Sequence, residues 1–303
     1  MTGLGALIRR NVKLYFKDKG MFLTSLITPV ILLVLYVTFL RSVYEDSFRA
    51  PFEQMGMTLA DEIVNGFVGG QLISSILAVS CVTVAFCSNL LSVQDKLSGA
   101  RRDLNVSPVK PSTIAVGYFM STFISSALIS VVAAAICFIW LGATGCGLSV
   151  GDTVLTLFDS LLLVLFGTSL SSCITYPLTT QGQASAVGTI VSAGYGFVCG
   201  AYMPISSFSP WLQRILSFFP GTYGTSLIRN HALRGVLADM ESLGIPEEAL
   251  EKIRESFDCK LFFFGHEVGI GEMYAVLGGV TAALVAVYIL INALSARHVI
   301  KRK

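Results

Sequence analysis

Ser92-Val93-Gln94-Asp95-Lys96-Leu97-Ser98-Gly99-Ala100-Arg101-Arg102-Asp103-Leu104-Asn105-Val106-Ser107-Pro108-Val109-Lys110-Pro111 lies between two long apolar runs. In the interior of the first half it is the charged stretch with an excess of cations: Lys96, Arg101, Arg102 and Lys110 outnumber Asp95 and Asp103. If the flanking runs cross a membrane, the bias of Lys and Arg toward cytoplasmic loops puts this segment, residues 93–111, inside the cell. Asp95 to Asn105 is expected to form a short helix with Leu97 and Leu104 on related faces. It stops before Pro108, because proline opposes helical geometry in the residue that precedes it. Held beneath a membrane by two spans, such a helix is a lever.

Working outward, 53% of the residues are hydrophobic and 13% charged, with a mean hydropathy of +0.72, so the chain is expected to be an all-α integral membrane protein rather than a soluble domain. A net charge of +2, with cations segregated by position, speaks of orientation and not of nucleic acid. Five cysteines (Cys81, Cys87, Cys137, Cys173 and Cys199) fall in apolar runs and act as small hydrophobes. Cys146 and Cys259 fall in expected outer loops, where the sequence does not decide whether they pair.

Six spans are expected at about residues 21–40, 67–91, 113–141, 154–176, 184–203 and 273–296, each at 1.5 Å per residue long enough for a hydrocarbon core of roughly 30 Å. The first apolar run has no small-residue cleavage site after it and is read as a retained span. Ahead of it, within residues 1–20, Leu4, Leu7, Ile8, Val12 and Tyr15 recur at helical spacing among Arg9, Arg10, Lys13 and Lys17, the pattern of a helix lying on an anionic leaflet. The loop from Arg41 to Gly66 is net acidic and fits the outside. Ala184, Gly188, Ser192, Gly196 and Gly200 repeat every four residues, a packing face that lets two backbones approach, on another span or on a second protomer. Residues 204–229 contain two pieces too short to span, read as an outer re-entrant hairpin with Trp211 at headgroup level. Residues 230–272 form an outer insertion in which Pro246 opens a helix with Leu250, Ile253 and Phe257 on one stripe and a Glu248 to Lys252 pair. This insertion caps the outer mouth, meets a partner or is solvated decoration.

The pair Asp95-Lys96, then Ser98-Gly99, Arg101-Arg102-Asp103-Leu104 and Ser107-Pro108-Val109 resembles the cytoplasmic coupling loop of the type-2 ABC exporter permeases. Pro204-Ile205-Ser206-Ser207-Phe208-Ser209-Pro210-Trp211, followed by Phe218-Phe219-Pro220-Gly221-Thr222-Tyr223 and Arg229, resembles the outer hairpin of the same family. The resemblance implies a permease dimer, made partly through the first and fifth spans, with two separate ATPase subunits that carry ATP and magnesium while this chain binds no cofactor. It also implies an elbow helix bearing Arg9, Arg10 and Lys13, and ATPase coupling through Asp95, Lys96, Gly99, Arg101, Arg102 and Asp103. A bacterial plasma membrane with both termini cytoplasmic is the expected setting. The expected cargo is a drug, peptide, lipid or other amphipathic compound. A lipid-linked polysaccharide exporter, a secondary transporter and a non-transporting scaffold are the alternatives.

No Gly-x-x-x-x-Gly-Lys-Ser/Thr phosphate cradle occurs in the sequence, so the chain is not itself the ATPase. His231, His266 and His298 are expected outside the spans, which leaves no histidine-based catalytic or metal site within the membrane. Asp159 is the one acid well inside a span, ~8 Å by helical rise from its outer end. It is expected to serve an outer vestibule or an interhelical hydrogen bond rather than a proton relay.

Overall fold

The computed structural model describes residues 2–54, 59–143 and 148–300, which are almost entirely helical. Helix α1 (Thr2–Lys17) ends one residue before α2 (Lys19–Leu35), where the Asp18 carboxylate caps the new helix by accepting from the Met21 amide at 3.0 Å. Past a π-helical turn (Tyr36–Leu40) the same rod continues as α3 (Arg41–Gln54). The acidic segment expected to be a loop is therefore largely helix. Its acids masked a buried aromatic ladder, Tyr44, Phe48 and Phe52, at intervals of four. Phe48 stacks on Phe67 with ring centroids 4.1 Å apart, and Phe67 meets Phe257 edge-on at 4.7 Å.

Helix α4 (Asp61–Leu97) has 37 residues, about 55 Å of helix, and is buried on every side over most of its length. Around it stand α6 (Pro111–Ala143), α7 (Val150–Thr175), α8 (Gln181–Val198) and α10 (Pro220–Ser242), with α5 (Ala100–Val106) between α4 and α6 and α9 (Pro210–Leu216) before α10. Beyond α10 come α11 (Glu247–Ser256), an antiparallel hairpin of β1 (Leu261–Phe263) and β2 (His266–Val268), and the last helix, α12 (Ile270–Ile300). In α11 the expected stripe of Leu250, Ile253 and Phe257 is buried, and Lys252 reaches Glu248 at 3.1 Å.

Among the described residues five helical stretches are long and apolar enough to cross a membrane: Lys19–Ala50, Asp61–Leu97, Pro111–Gly142, Val150–Thr175 and Ile270–Leu294. Helix α8, read as the fifth of six spans, is not among them. It is rich in Gly, Ser and Gln and ends at Val198 instead of Met203. The second limb of the outer hairpin also departs from expectation, since α10 runs 23 residues to Ser242 and the insertion begins inside it. Leu227, Leu233, Leu237 and Met240 give α10 an apolar face against α4 and α7, which the intervening Arg, Asn and His disguised. Large apolar side chains lie exposed on the outer surfaces of α2, α6 and α12, among them Leu23, Ile27, Ile136, Ile139 and Ile289, a surface made for lipid.

Candidate functional site

Three clusters of polar residues join the helices, and the richest lies at the α5 end. Gly99 turns the chain between α4 and α5 with φ +87°, a left-handed conformation that favours glycine. Asp95 and Lys96 belong to the last turns of α4, which corrects the expectation that they open the short helix. The Asp95 carboxylate, 5% exposed, accepts from both terminal nitrogens of Arg10 at 2.6 and 3.0 Å and from the Tyr118 hydroxyl. A buried carboxylate needs such partners, and here they come from α1 and α6, so one side chain ties three helices. The same contact raises the Arg10 pKa above its ordinary value.

Helix α1 accordingly packs along α6. Leu7 sits against Gly117, Asn11 donates to Ser121 at 3.4 Å and the Tyr15 hydroxyl meets that of Ser25 at 2.7 Å. Arg10 points inward to Asp95, while Arg9 and Lys13 stay exposed. The Lys96 ammonium donates to the carbonyls of Thr175 (3.4 Å), Tyr176 (2.5 Å) and Leu178 (3.1 Å), closing the C-terminal end of α7 where cations are favoured. Asn89, farther up α4, donates to the hydroxyls of Ser171, Ser172 and Thr175 at 3.1 to 3.3 Å. Arg101 turns back over the Tyr118 ring, 4.9 Å from its centre. Of the six expected coupling residues, Arg102 and Asp103 are the ones whose charged side chains face outward.

A second feature is a groove of about 800 Å³ between α2 and α8, walled by Thr24, Ile27 and Ile31 on one side and Gly188, Ser192 and Ala193 on the other. The small-residue stripe reaches it at Ala184, Gly188 and Ser192. Gly196 is covered by the Tyr202 ring, and Gly200 lies past the end of α8 in a turn at φ +74°, backed by Asp258 and Ile205. The packing face is therefore shorter than the sequence repeat.

The second polar cluster is buried between α7, α10 and α12. Asp159 is fully buried and contacts His231 Nδ1 and the Tyr274 hydroxyl, each at 2.5 Å. His231, expected in an outer loop, stands in α10 with its ring against this carboxylate; its charged neighbours had hidden the helix. In the first turn of α7, Asp152 pairs with Arg234 of α10 at 2.6 Å. His266 lies exposed on β2 beside Glu272, and the side chain of His298 lies outside the described residues.

A lock that sequence reading missed joins the turn after α8 to α10 and the segment that follows α11. Arg229 has no exposed surface; it donates to the carbonyls of Phe257 and Gly200, both at 2.9 Å, and to Asp258 at 3.3 Å. Asp258 in turn accepts from the amides of Ile205 (2.5 Å) and Ser206 (3.0 Å), while burial pushes its pKa up. Cys259 beside it is buried, its thiol pushed up to about 12, and Cys146, whose pairing with it the sequence left undecided, lies outside the described residues.

A model of the ABC-2 type transporter membrane family matches residues 2–232. This chain belongs to that family. The match takes in α1, the α5 turn, the α2/α8 groove and the Asp159–His231 pair, whereas α11, the hairpin and α12 lie beyond it. Membership makes the chain the transmembrane component of an ABC transporter, a class whose membrane part is not the ATPase and normally works with ATP-binding subunits. No curated protein and no solved structure matches this ABC-2 permease.

Proposed function

We propose that this ABC-2 permease is half of the membrane portion of an exporter, two copies pairing along the α2/α8 groove and driven by two separate ATPase subunits that bind ATP and magnesium. In this reading α8 is the fifth of six spans and α1 is the elbow helix. The start of α10 and α9 form the outer hairpin, and both termini face the cytoplasm of a bacterial cell. Helix α5 is the contact for the ATPase.

The observation that carries the reading is the wiring around α5. Its base is joined through Asp95 to α1 and α6 and through Lys96 to α7, so a push on α5 is delivered to four long helices at once. The outward charges of Arg102 and Asp103 are the handle. A conformational change needs contacts that differ between states, and an ATPase that closes on α5 supplies them. The groove mixes hydroxyls with aliphatic walls, which suits an amphipathic cargo of drug, peptide or lipid type.

Charge reversal tests this. Arg102→Glu with Asp103→Lys, reconstituted with the ATPase subunits, is expected to abolish transport and cargo-dependent ATP turnover while the spans still insert. Export at the wild-type rate removes α5 from the coupling path.

A further inference from the structure

Two cavities neighbour each other where α6 and α12 approach the α5 end. One is an apolar slot of about 360 Å³ between the two helices, walled by Val116, Phe119, Val285 and Ile289. Its flanks are open: Val116 is 45% and Ile289 61% exposed. The Tyr288 hydroxyl crosses its inner side to donate to the Ala115 carbonyl at 3.1 Å. The other is a small polar pocket around Lys96 and Arg101, and Tyr288 and Asn292 line both. The apolar slot and the cationic pocket thus lie on either side of Tyr288 and Asn292.

The charge in that pocket is not balanced locally. Asp95 is committed to Arg10 and Tyr118, and Lys96 has its donors on three carbonyls. Arg101 stands over the Tyr118 ring and, among the described residues, donates to no acceptor. A guanidinium positioned over an aromatic ring with its fork of donors unclaimed is preorganised for a phosphate. We infer that the α6/α12 slot holds an acyl chain of an anionic phospholipid whose phosphate lies against Arg101. A hydrocarbon chain fits the uncharged walls of the slot and the phosphate answers the Arg101 guanidinium beside it, the polar pocket behind, about 30 Å³, being too small for more than a water. Bound there, the lipid braces α12 against the base of α5. The inference rests on α6 and α12 being spans with α5 at the inner face of the membrane.

The full chain, purified in detergent and stripped of lipid, is titrated with phosphatidylglycerol or phosphatidylcholine, and binding is read by native mass spectrometry. Wild type is expected to bind phosphatidylglycerol about tenfold more tightly than phosphatidylcholine, the size of one charge-assisted contact. Arg101→Gln erases the preference. Val116→Trp, at an exposed wall of the slot, weakens binding of both lipids, and Arg102→Gln leaves the preference in place. Equal binding of the two lipids by wild type overturns the inference. So does undiminished phosphatidylglycerol binding by Val116→Trp, or an Arg102→Gln variant as impaired as Arg101→Gln, which indicates diffuse attraction to a basic face. Should Arg101→Gln not fold, the Val116 and Arg102 variants decide. The readout involves no transport, so loss of lipid selectivity and failure of the exporter reading are separate results.

Discussion

Asp95→Asn and Arg10→Gln, made singly and together, measure how firmly α1 is held to the core. The Arg10 side chain is 35% exposed and that of Asp95 7%. Losing one partner of a fully buried pair costs about 3–5 kcal/mol, whereas surface pairs contribute about 0–1 kcal/mol. With one partner buried and the other a third in solvent, the coupling falls between these limits, at about 2 kcal/mol. At this chain length that is a shift of roughly 4 °C in the unfolding midpoint. Thermal unfolding of the purified chain in detergent reads it: each single variant loses stability, and the double variant loses little more than the worse single. Additive losses, with a coupling under about 0.5 kcal/mol, refute the idea that this contact fastens α1. The coupling is also expected to be flat around neutral pH as far as Arg10 is concerned. Asp95 raises the Arg10 pKa, so the guanidinium's contribution is complete below its ordinary value and is lost only as pH climbs through the raised one.

Arg229→Met leaves Asp258 buried and unpaired and is expected to cost about 3–5 kcal/mol, part of which Asp258→Asn restores in the double variant; the unfolding midpoint checks both. Asp159→Ala strands His231 and Tyr274 and is expected to cost about 1–3 kcal/mol, with Asp159→Asn milder because it keeps one acceptor. Complete loss of assembly in Asp159→Asn is incompatible with that account. A Cβ at Gly167 would stand 3.0 Å from Val82 Cα and 3.1 Å from the Cys81 carbonyl, main-chain atoms that cannot rotate aside. Gly167→Leu is therefore expected to push α7 off α4 at a cost of about 3 kcal/mol. At Gly188 the nearest atom is Leu90 Cδ1 at 3.8 Å, so Gly188→Leu is expected to leave the single chain stable and to reduce pairing, read by crosslinking in membranes.

Hydropathy located α4, α6, α7 and α12 because each contains a long apolar run, and it missed α3, whose acids disguise a buried aromatic face, and most of α10. Polar residues in α10 are satisfied by partners far along the chain. Arg229 and His231 read as loop residues until Asp258 and Asp159 are beside them, and no spacing rule connects positions 72 apart. The α5 turn was legible from Gly99 and the cations around it. The direction each charge takes was not, since Asp95 is 85 residues from Arg10 and 23 from Tyr118. The small-residue repeat was legible as a face, but its last member belongs to a turn, because α8 ends at Val198 and Gly200 takes a positive φ.

The first rod is fastened at both extremities, below by Tyr15 on Ser25 and above by Phe48 and Phe52 in the aromatic stack. A beam clamped at its two ends cannot swing, so any displacement of its groove-lining middle has to appear as curvature or torsion. The backbone offers two compliant points for that: Pro29, where one main-chain bond is missing, and the over-wide winding at Tyr36–Leu40. Any widening of the groove therefore falls to flexing of its wall, with the aromatic anchorage at rest.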